Sequence, residues 1–309
     1  MPTVEDVRAA AARIAGYVHR TPLATSTTLD AELGLTAVFK CENLQKVGAF
    51  KARGATNAVL ALDEVTAARG VLTHSSGNHG AALAFAAAIR GIACTVVMPE
   101  DAPSVKFDAV SGYGARIVRC TQSNRAEVAA REQASTGAAF IHPFENPDVI
   151  AGQGTAALEL LEDQPDVEAV IAPIGGGGLL SGTALMCAAA GVAAIGAEPE
   201  EVDDAYRSLM SGVRQPRVPS PNTLGDGLLT GIGALPFEIL NGLGVRIQLV
   251  DEASMAQAAR FHLERMKLVV EPSGATGLAA LRRLAPQFAG KRVGVIISGG
   301  NTDFAWLAR

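Results

Sequence analysis

A chain of 309 residues, 49% hydrophobic and 18% charged, is long enough for one large core or for two domains that share an interface. Its formal net charge of -5 leaves no basic footprint for nucleic acid, and its longest apolar runs stop far short of a membrane span. Four scattered cysteines (Cys41, Cys94, Cys120, Cys187) and five histidines without HExxH-type spacing argue against a zinc enzyme and for reduced, structural thiols in a cytoplasmic protein.

At the N-terminus, Thr3 followed by Asp6 predicts a capped helix with Val4, Val7, Ala11 and Ile14 along one face. The acids there, and the lack of a continuous apolar stretch, exclude a secretory signal. Strands are predicted over 36–42, 70–76, 93–99, 115–120, 139–143, 168–175, 192–198, 246–250 and 292–298. Helices are predicted between them, including 79–90, 179–190 and 254–266. Several strands are apolar throughout rather than alternating, the pattern of a parallel sheet covered on both faces. Strand-helix alternation along the whole chain predicts an α/β fold with parallel sheets. The stretch 211–236, rich in Gly, Pro, Ser and Asn, reads as a long loop, and long loops in compact domains are often functional.

Open α/β sheets bind ligands beyond the carboxyl ends of their strands. Beyond the strand at 168–175 lies "GGGGLLSG", with Gly175, Gly176, Gly177 and Gly178 ahead of a helix. Glycines let backbone N–H groups approach an anion, and the helix dipole favours it. The P-loop lysine is absent, and G-x-G-x-x-G fails because Leu180 and Ser181 stand where its third glycine belongs. A phosphate cup is the expectation. After the strand at 70–76, Ser75, Ser76, Gly77, Asn78 and His79 open a helix. This set suits a carboxylate, although an ordinary N-cap uses the same residues. Ser298 ends the last strand, where a plain strand-to-turn connection would read alike. Lys51 stands in "VGAFKARGA" among small and apolar residues. Such neighbours desolvate its charged form and leave a nucleophilic amine. A phosphate cup, a carboxylate loop, a lysine and a lone hydroxyl are the parts needed to hold a phosphate-bearing aldehyde on a lysine.

The segments "FKARGA", "SSGNHG", "HPFENPDVIAGQGT", "PIGGGGLLSG", "ERMKLVVEPSGA" and "SGGN" occur in this order over nearly the whole chain. With them the chain resembles the fold-type II (tryptophan synthase β-like) pyridoxal-phosphate enzymes. The matching branch is that of serine/threonine dehydratases, serine racemases and threo-3-hydroxyaspartate dehydratases. The resemblance implies two parallel-sheet α/β domains with pyridoxal 5'-phosphate in the cleft between them. Residues 68–143 would form a small mobile domain, and 1–67 with 144–309 a large one. It implies that Lys51 carries the cofactor and moves the α-proton. Phe50 would lie against the cofactor ring, Asn78 would bond its hydroxyl, and Gly175 to Gly178 with Leu179 would hold the phosphate. Ser298 would face the ring nitrogen, with Glu271 near it. Ser75, Ser76, Asn78 and the His79 backbone would take the substrate carboxylate.

The racemase-like branch further implies that Ser76 is a proton relay on the face opposite Lys51, although it could equally be one more hydroxyl of the carboxylate loop. Arg125 would reach a second substrate carboxylate, with a solvated arginine at a helix start as the rival reading. Thr230 would border the substrate. Glu198, Asp204 and the Val202 carbonyl would bind Mg2+ or Ca2+, whose oxygen-ligand preference they suit; a run of surface acids is the alternative there. The resemblance implies β-elimination from a β-hydroxy amino acid (L-serine, L-threonine or a threo-3-hydroxyaspartate), with racemisation beside it or as the main activity. A homodimer is also implied. Eight residues follow Asn301, which leaves no room for the C-terminal regulatory domain of biosynthetic threonine dehydratases. A non-enzymatic phosphate- or amino-acid-binding module would keep the glycines without needing Lys51.

Overall fold

The computed structural model describes every residue except Ser76, Asp101, Pro103 and Arg309, with Ser104 and Val105 described for their backbone alone. Its strands are β1 (Leu23–Thr25), β2 (Thr36–Cys41), β3 (Val71–His74), β4 (Cys94–Pro99), β5 (Arg116–Cys120), β6 (Ala139–Phe140), β7 (Ala169–Pro173), β8 (Ala193–Pro199), β9 (Arg246–Val250) and β10 (Arg292–Ile297). They form a six-stranded sheet in the order β1-β2-β10-β7-β8-β9 and a four-stranded sheet in the order β5-β4-β3-β6. All neighbours run parallel except β1, which pairs antiparallel with β2. Each strand expected from the sequence is present within a few residues. The three-residue β1 is too short to carry a period of its own and follows from tertiary pairing with β2.

Both faces of the larger sheet are buried. In β7, Ala169 and Ile171 enter one apolar cluster while Val170 and Ala172 enter the other. In β10, Val293, Val295 and Ile297 face the cluster with Phe39, Leu278 and Trp306, whereas Ile296 faces Leu160 and Leu180. Two-sided burial is why these strands are apolar without alternation. Around the smaller sheet, Val71, Val96 and Met98 pack with Leu83 of the Asn78–Arg90 helix and with Val59 of the Lys51–Ala61 helix. The helix carrying Lys51 therefore touches the layers of both sheets.

The first helix, Val4–Ile14, has the expected capping box between Thr3 and Asp6. Its buried face is Val7, Ala10 and Ile14, so Ala10 takes the inward place expected for Ala11. The helix predicted to 266 is α-helical over Glu252–Phe261. It widens into a π-turn over His262–Met266 and stops at left-handed Lys267. The stretch between the Asp204–Ser211 and Ala234–Gly242 helices is irregular apart from a short turn at Asp226–Leu228. All four cysteines are buried, and among the described residues none is in a disulfide. Burial pushes the thiols of Cys94 and Cys187 up to about 12, so they are inert at neutral pH. Among the described residues no helix is long and apolar enough to cross a membrane.

Candidate active site

The carboxyl ends of β3, β7 and β10 converge with the start of the Lys51–Ala61 helix on a cavity of about 380 Å³. Phe50, Lys51, Ser75, Asn78, His79, Arg125, Gly175 to Gly178, Leu179, Thr230, Glu271 and Ser298 all line it. The sequence-predicted cofactor and substrate residues are thus brought together, apart from Ser76, which lies outside the described residues.

Lys51 is held by a backbone stitched to the end of β10. The Phe50 N–H donates to the Ser298 carbonyl (3.0 Å) and the Gly300 N–H to the Gly48 carbonyl (3.0 Å). Val47 and Gly48 turn the chain through left-handed conformations, and a Cβ at Gly48 would overlap the Asn301 side chain. The Lys51 Nζ donates to the Pro143 carbonyl at 3.0 Å and sits 4.9 Å from the centre of the Phe50 ring. Burial lowers the amine to about 8. Arg53, one half-turn on, points the other way into the core. It is fully buried and bonds Glu42 at 2.7 and 2.8 Å and Glu159 at 2.7 and 2.8 Å. The apolar neighbours of Lys51 desolvate the amine, and Arg53 locks the helix that carries it.

The glycine run follows β7 and starts the Gly178–Ala190 helix, with Gly177 at φ +91°. No side chain caps this helix, so its first N–H groups are free for an anion. A Cβ at Gly176 would fall within the Phe144 ring, and one at Gly177 would stand 2.7 Å from Pro236 Cβ. Asn78 donates to Glu271 Oε1 (3.1 Å) and accepts from Asn301 Nδ2 (2.9 Å). Burial, aided by the Asp226 charge, raises Glu271 to about 8. Ser75 Oγ accepts from the Gly77 N–H at 3.2 Å. His79 Nε2 donates to the Ile141 carbonyl (3.0 Å), and burial, then Lys51, depresses it to about 3, so it is neutral. Ser298 is buried at the end of β10. These features fit a phosphate-bearing aldehyde: a bare N–H cradle, a poorly solvated amine beside it, and a side-chain amide braced for a ring hydroxyl.

The structure adds residues the sequence reading assigned no role. His142 lines the cavity, and its Nδ1 accepts from the Glu145 N–H at 3.0 Å. Burial, then His74 and Lys51, lowers it to about 4, so it is a neutral ring with its proton on Nε2. It closes the predicted strand 139–143, so the strand-end rule could have found it. Asn301 stands in the "SGGN" segment and braces Asn78. Arg217 lies in the long loop, where no local pattern points to it.

Glu198, Val202 and Asp204 are buried away from this cavity, at the end of β8. Glu198 accepts from the Ala205 and Tyr206 N–H groups (2.9 and 2.8 Å), and Asp204 from the Ile232 N–H (2.7 Å). Burial, with a smaller contribution from neighbouring acids, raises Glu198 well above its ordinary value and raises Asp204 as well. The nearby Arg207 is paired with Asp203 at 2.8 Å. Two buried acids with oxygen donors fit a hard divalent cation. Among the described residues, no group of three or more His, Cys, Asp and Glu side chains is placed for a metal, so such a site would need the Val202 carbonyl and water.

Two α/β units enclose a cleft lined by a glycine cradle and a desolvated lysine. The family of pyridoxal-phosphate dependent enzymes matches residues 14–299, and the chain belongs to it. It is 47% identical to the beta-hydroxyaspartate dehydratase of Paracoccus denitrificans, over 98% of this chain and 97% of that protein. It is 46% identical to the serine racemase of Dictyostelium discoideum, over 99% and 97%. The crystal structure of that racemase superposes with a TM-score of 0.94, covering 98% of this chain and 99% of that one. The crystal structure of a T.th. threonine deaminase superposes with a TM-score of 0.92 at 44% identity, covering 98% and 100%.

Proposed function

We propose that this enzyme removes water from a β-hydroxy amino acid and releases a 2-oxo acid and ammonia. The observation that supports this best is the Lys51 amine, lowered by burial to about 8 and set beside the glycine cradle. When bound, pyridoxal 5'-phosphate supplies an electron sink that acidifies the substrate's α-C–H. Gly175 to Gly178 and Leu179 would hold its phosphate, Asn78 its hydroxyl, and Phe50 one ring face. Ser75, Ser76, Asn78 and the His79 N–H would hold the α-carboxylate, with Thr230 bordering the substrate. Lys51 takes the α-proton as a general base. Ser298, with Glu271 in the same cavity wall, would offer the ring nitrogen a neutral hydroxyl, which would not force protonation there. Such a partner would favour prompt β-elimination over transamination, with the proton taken by Lys51 passing to the β-hydroxyl so that it leaves as water. The released enamine tautomerises and hydrolyses in water.

The substrate is L-serine, L-threonine or a threo-3-hydroxyaspartate, and Arg125 in the cavity wall supports the dicarboxylate. Racemisation is the second reading, supported by the serine racemase relatives, with Ser76 as the proton relay. Residues 68–143 would move as the small domain and exclude water on closing. Glu198, Asp204 and the Val202 carbonyl would hold Mg2+ or Ca2+. A cytoplasmic homodimer completes the reading. The test is 2-oxo acid release from each amino acid, in both enantiomers. Oxaloacetate from hydroxyaspartate supports the dicarboxylate reading. Pyruvate or 2-oxobutanoate alone makes the enzyme a monocarboxylate dehydratase, and full activity of Ser76→Ala on both enantiomers removes the relay.

A further inference from the structure

Most charged groups in the cavity wall are already engaged. Lys106 pairs with Asp226 at 2.9 Å, Glu271 accepts from Asn78, and Lys51 donates to Pro143. Arg125 and Arg217 differ. Both line the cavity, and among the described residues neither guanidinium has an ion pair or hydrogen bond. They come from different elements. Arg125 opens the Arg125–Thr136 helix, which packs on β3 and β4 of the smaller sheet. Arg217 belongs to the loop that follows the Asp204–Ser211 helix of the larger unit.

This loop is anchored on both sides of Arg217. The Gln215 N–H donates to Ser208 Oγ (2.8 Å), Arg207 Nη2 to the Pro216 carbonyl (3.5 Å), and Arg214 Nη1 to the Ile232 carbonyl (3.3 Å). The Arg217 backbone packs so closely on Gly231 that a Cβ at 231 would stand 2.7 Å from Arg217 Cβ. Gly231 follows Thr230, whose Oγ1 is 3.3 Å from the place a Gly175 Cβ would take. The backbone at Arg217 is thus anchored near the glycine cradle, and its exposed side chain lines the same cavity as Arg125. A substrate with one carboxylate is served by the Ser75–His79 loop and leaves two unpaired guanidiniums facing the same space. A second carboxylate between them would satisfy both.

We propose that Arg217 is a specificity-determining residue that, with Arg125, holds the distal carboxylate of a dicarboxylic amino acid. The proposal rests on the β-elimination reading for its reaction but not for its binding step. A charge-assisted guanidinium–carboxylate contact predicts a loss of about 10- to 100-fold in affinity when it is removed. In the holoenzyme, Arg217→Ala is expected to raise KM for threo-3-hydroxyaspartate by that factor. KM for L-serine and the affinity for the cofactor should change less than about two-fold, and Arg217→Lys should recover part of the loss.

Succinate, an unreactive dicarboxylate, separates the binding site from the chemistry. Its dissociation constant for the holoenzyme should rise in Arg217→Ala, whatever amino acid is turned over. If no β-hydroxy amino acid is consumed while succinate still depends on Arg217, the reaction assigned above is wrong and the subsite stands. If Arg217→Ala weakens the cofactor, Arg217 belongs to the phosphate and the proposal falls. It falls equally if KM for serine and hydroxyaspartate rise together, or if neither KM nor succinate binding responds.

Discussion

Lys51 carries an amine that donates to one backbone carbonyl and, among the described residues, pairs with no carboxylate. Burial is the cause of its lowered pKa of about 8. The neutral amine is the nucleophile. Apoprotein mixed with pyridoxal 5'-phosphate in a stopped-flow spectrometer should therefore capture it faster as pH rises to about 8, then level off. A solvated lysine would keep gaining up to about 10.4. Between about 8 and 10.5 the folded chain holds fewer protons at this group than the unfolded chain does. Apoprotein stability should rise with pH across that window through this group, and Lys51→Met should remove the increment. The sequence showed the apolar setting of Lys51 directly. It could not show the Pro143 carbonyl, which is 92 residues away along the chain.

Two elements set the precision of the site. The Lys51–Ala61 helix is locked by Arg53, whose guanidinium spans Glu42 and Glu159 inside the core. Removing one partner of a buried ion pair leaves charge unpaired, at a cost of about 3–5 kcal/mol. Arg53→Ala should lower the free energy of unfolding by about that much in urea titrations. The glycine run depends on backbone conformation as well as space. At Gly177, φ is +91° and Pro236 crowds the missing side chain, and left-handed backbone alone costs other residues roughly 1–2 kcal/mol. Gly177→Ala should weaken cofactor binding at least ten-fold by equilibrium dialysis while leaving the far-ultraviolet circular dichroism intact. The run was legible as a candidate anion cradle because a strand and a helix flank it. Its packing against Phe144 and Pro236 was not, because those contacts come from other segments.

At the scale of the whole molecule, the cleft lies between two sheets of different size, and the loop carrying Arg217 is tied to the helix that begins at Asp204. A cation on Glu198 and Asp204 would neutralise two buried acids and brace that loop through the Asp204–Ile232 bond. A chelator should therefore lower Tm, and Mg2+ should restore it. Glu198→Gln should lose this response, and no change in the wild type would show that the acids hold no structural ion.

The sequence by itself determined the α/β class, nearly every parallel strand and the glycine, hydroxyl and lysine positions of the cleft, whereas Phe50, Leu179, Arg125, Thr230 and Glu271 were implied only by the family resemblance. The former are encoded locally, in apolar strands buried on both faces and in glycine and hydroxyl-rich strand ends. Only the tertiary structure decided which distant groups face them. The β1 pairing, the neutral His142, the Asn301 brace on Asn78, the Arg53 network and the convergence of Arg125 with Arg217 all join residues far apart in the chain. No local spacing encodes such meetings, because they are set by how the two sheets pack around the Lys51–Ala61 helix.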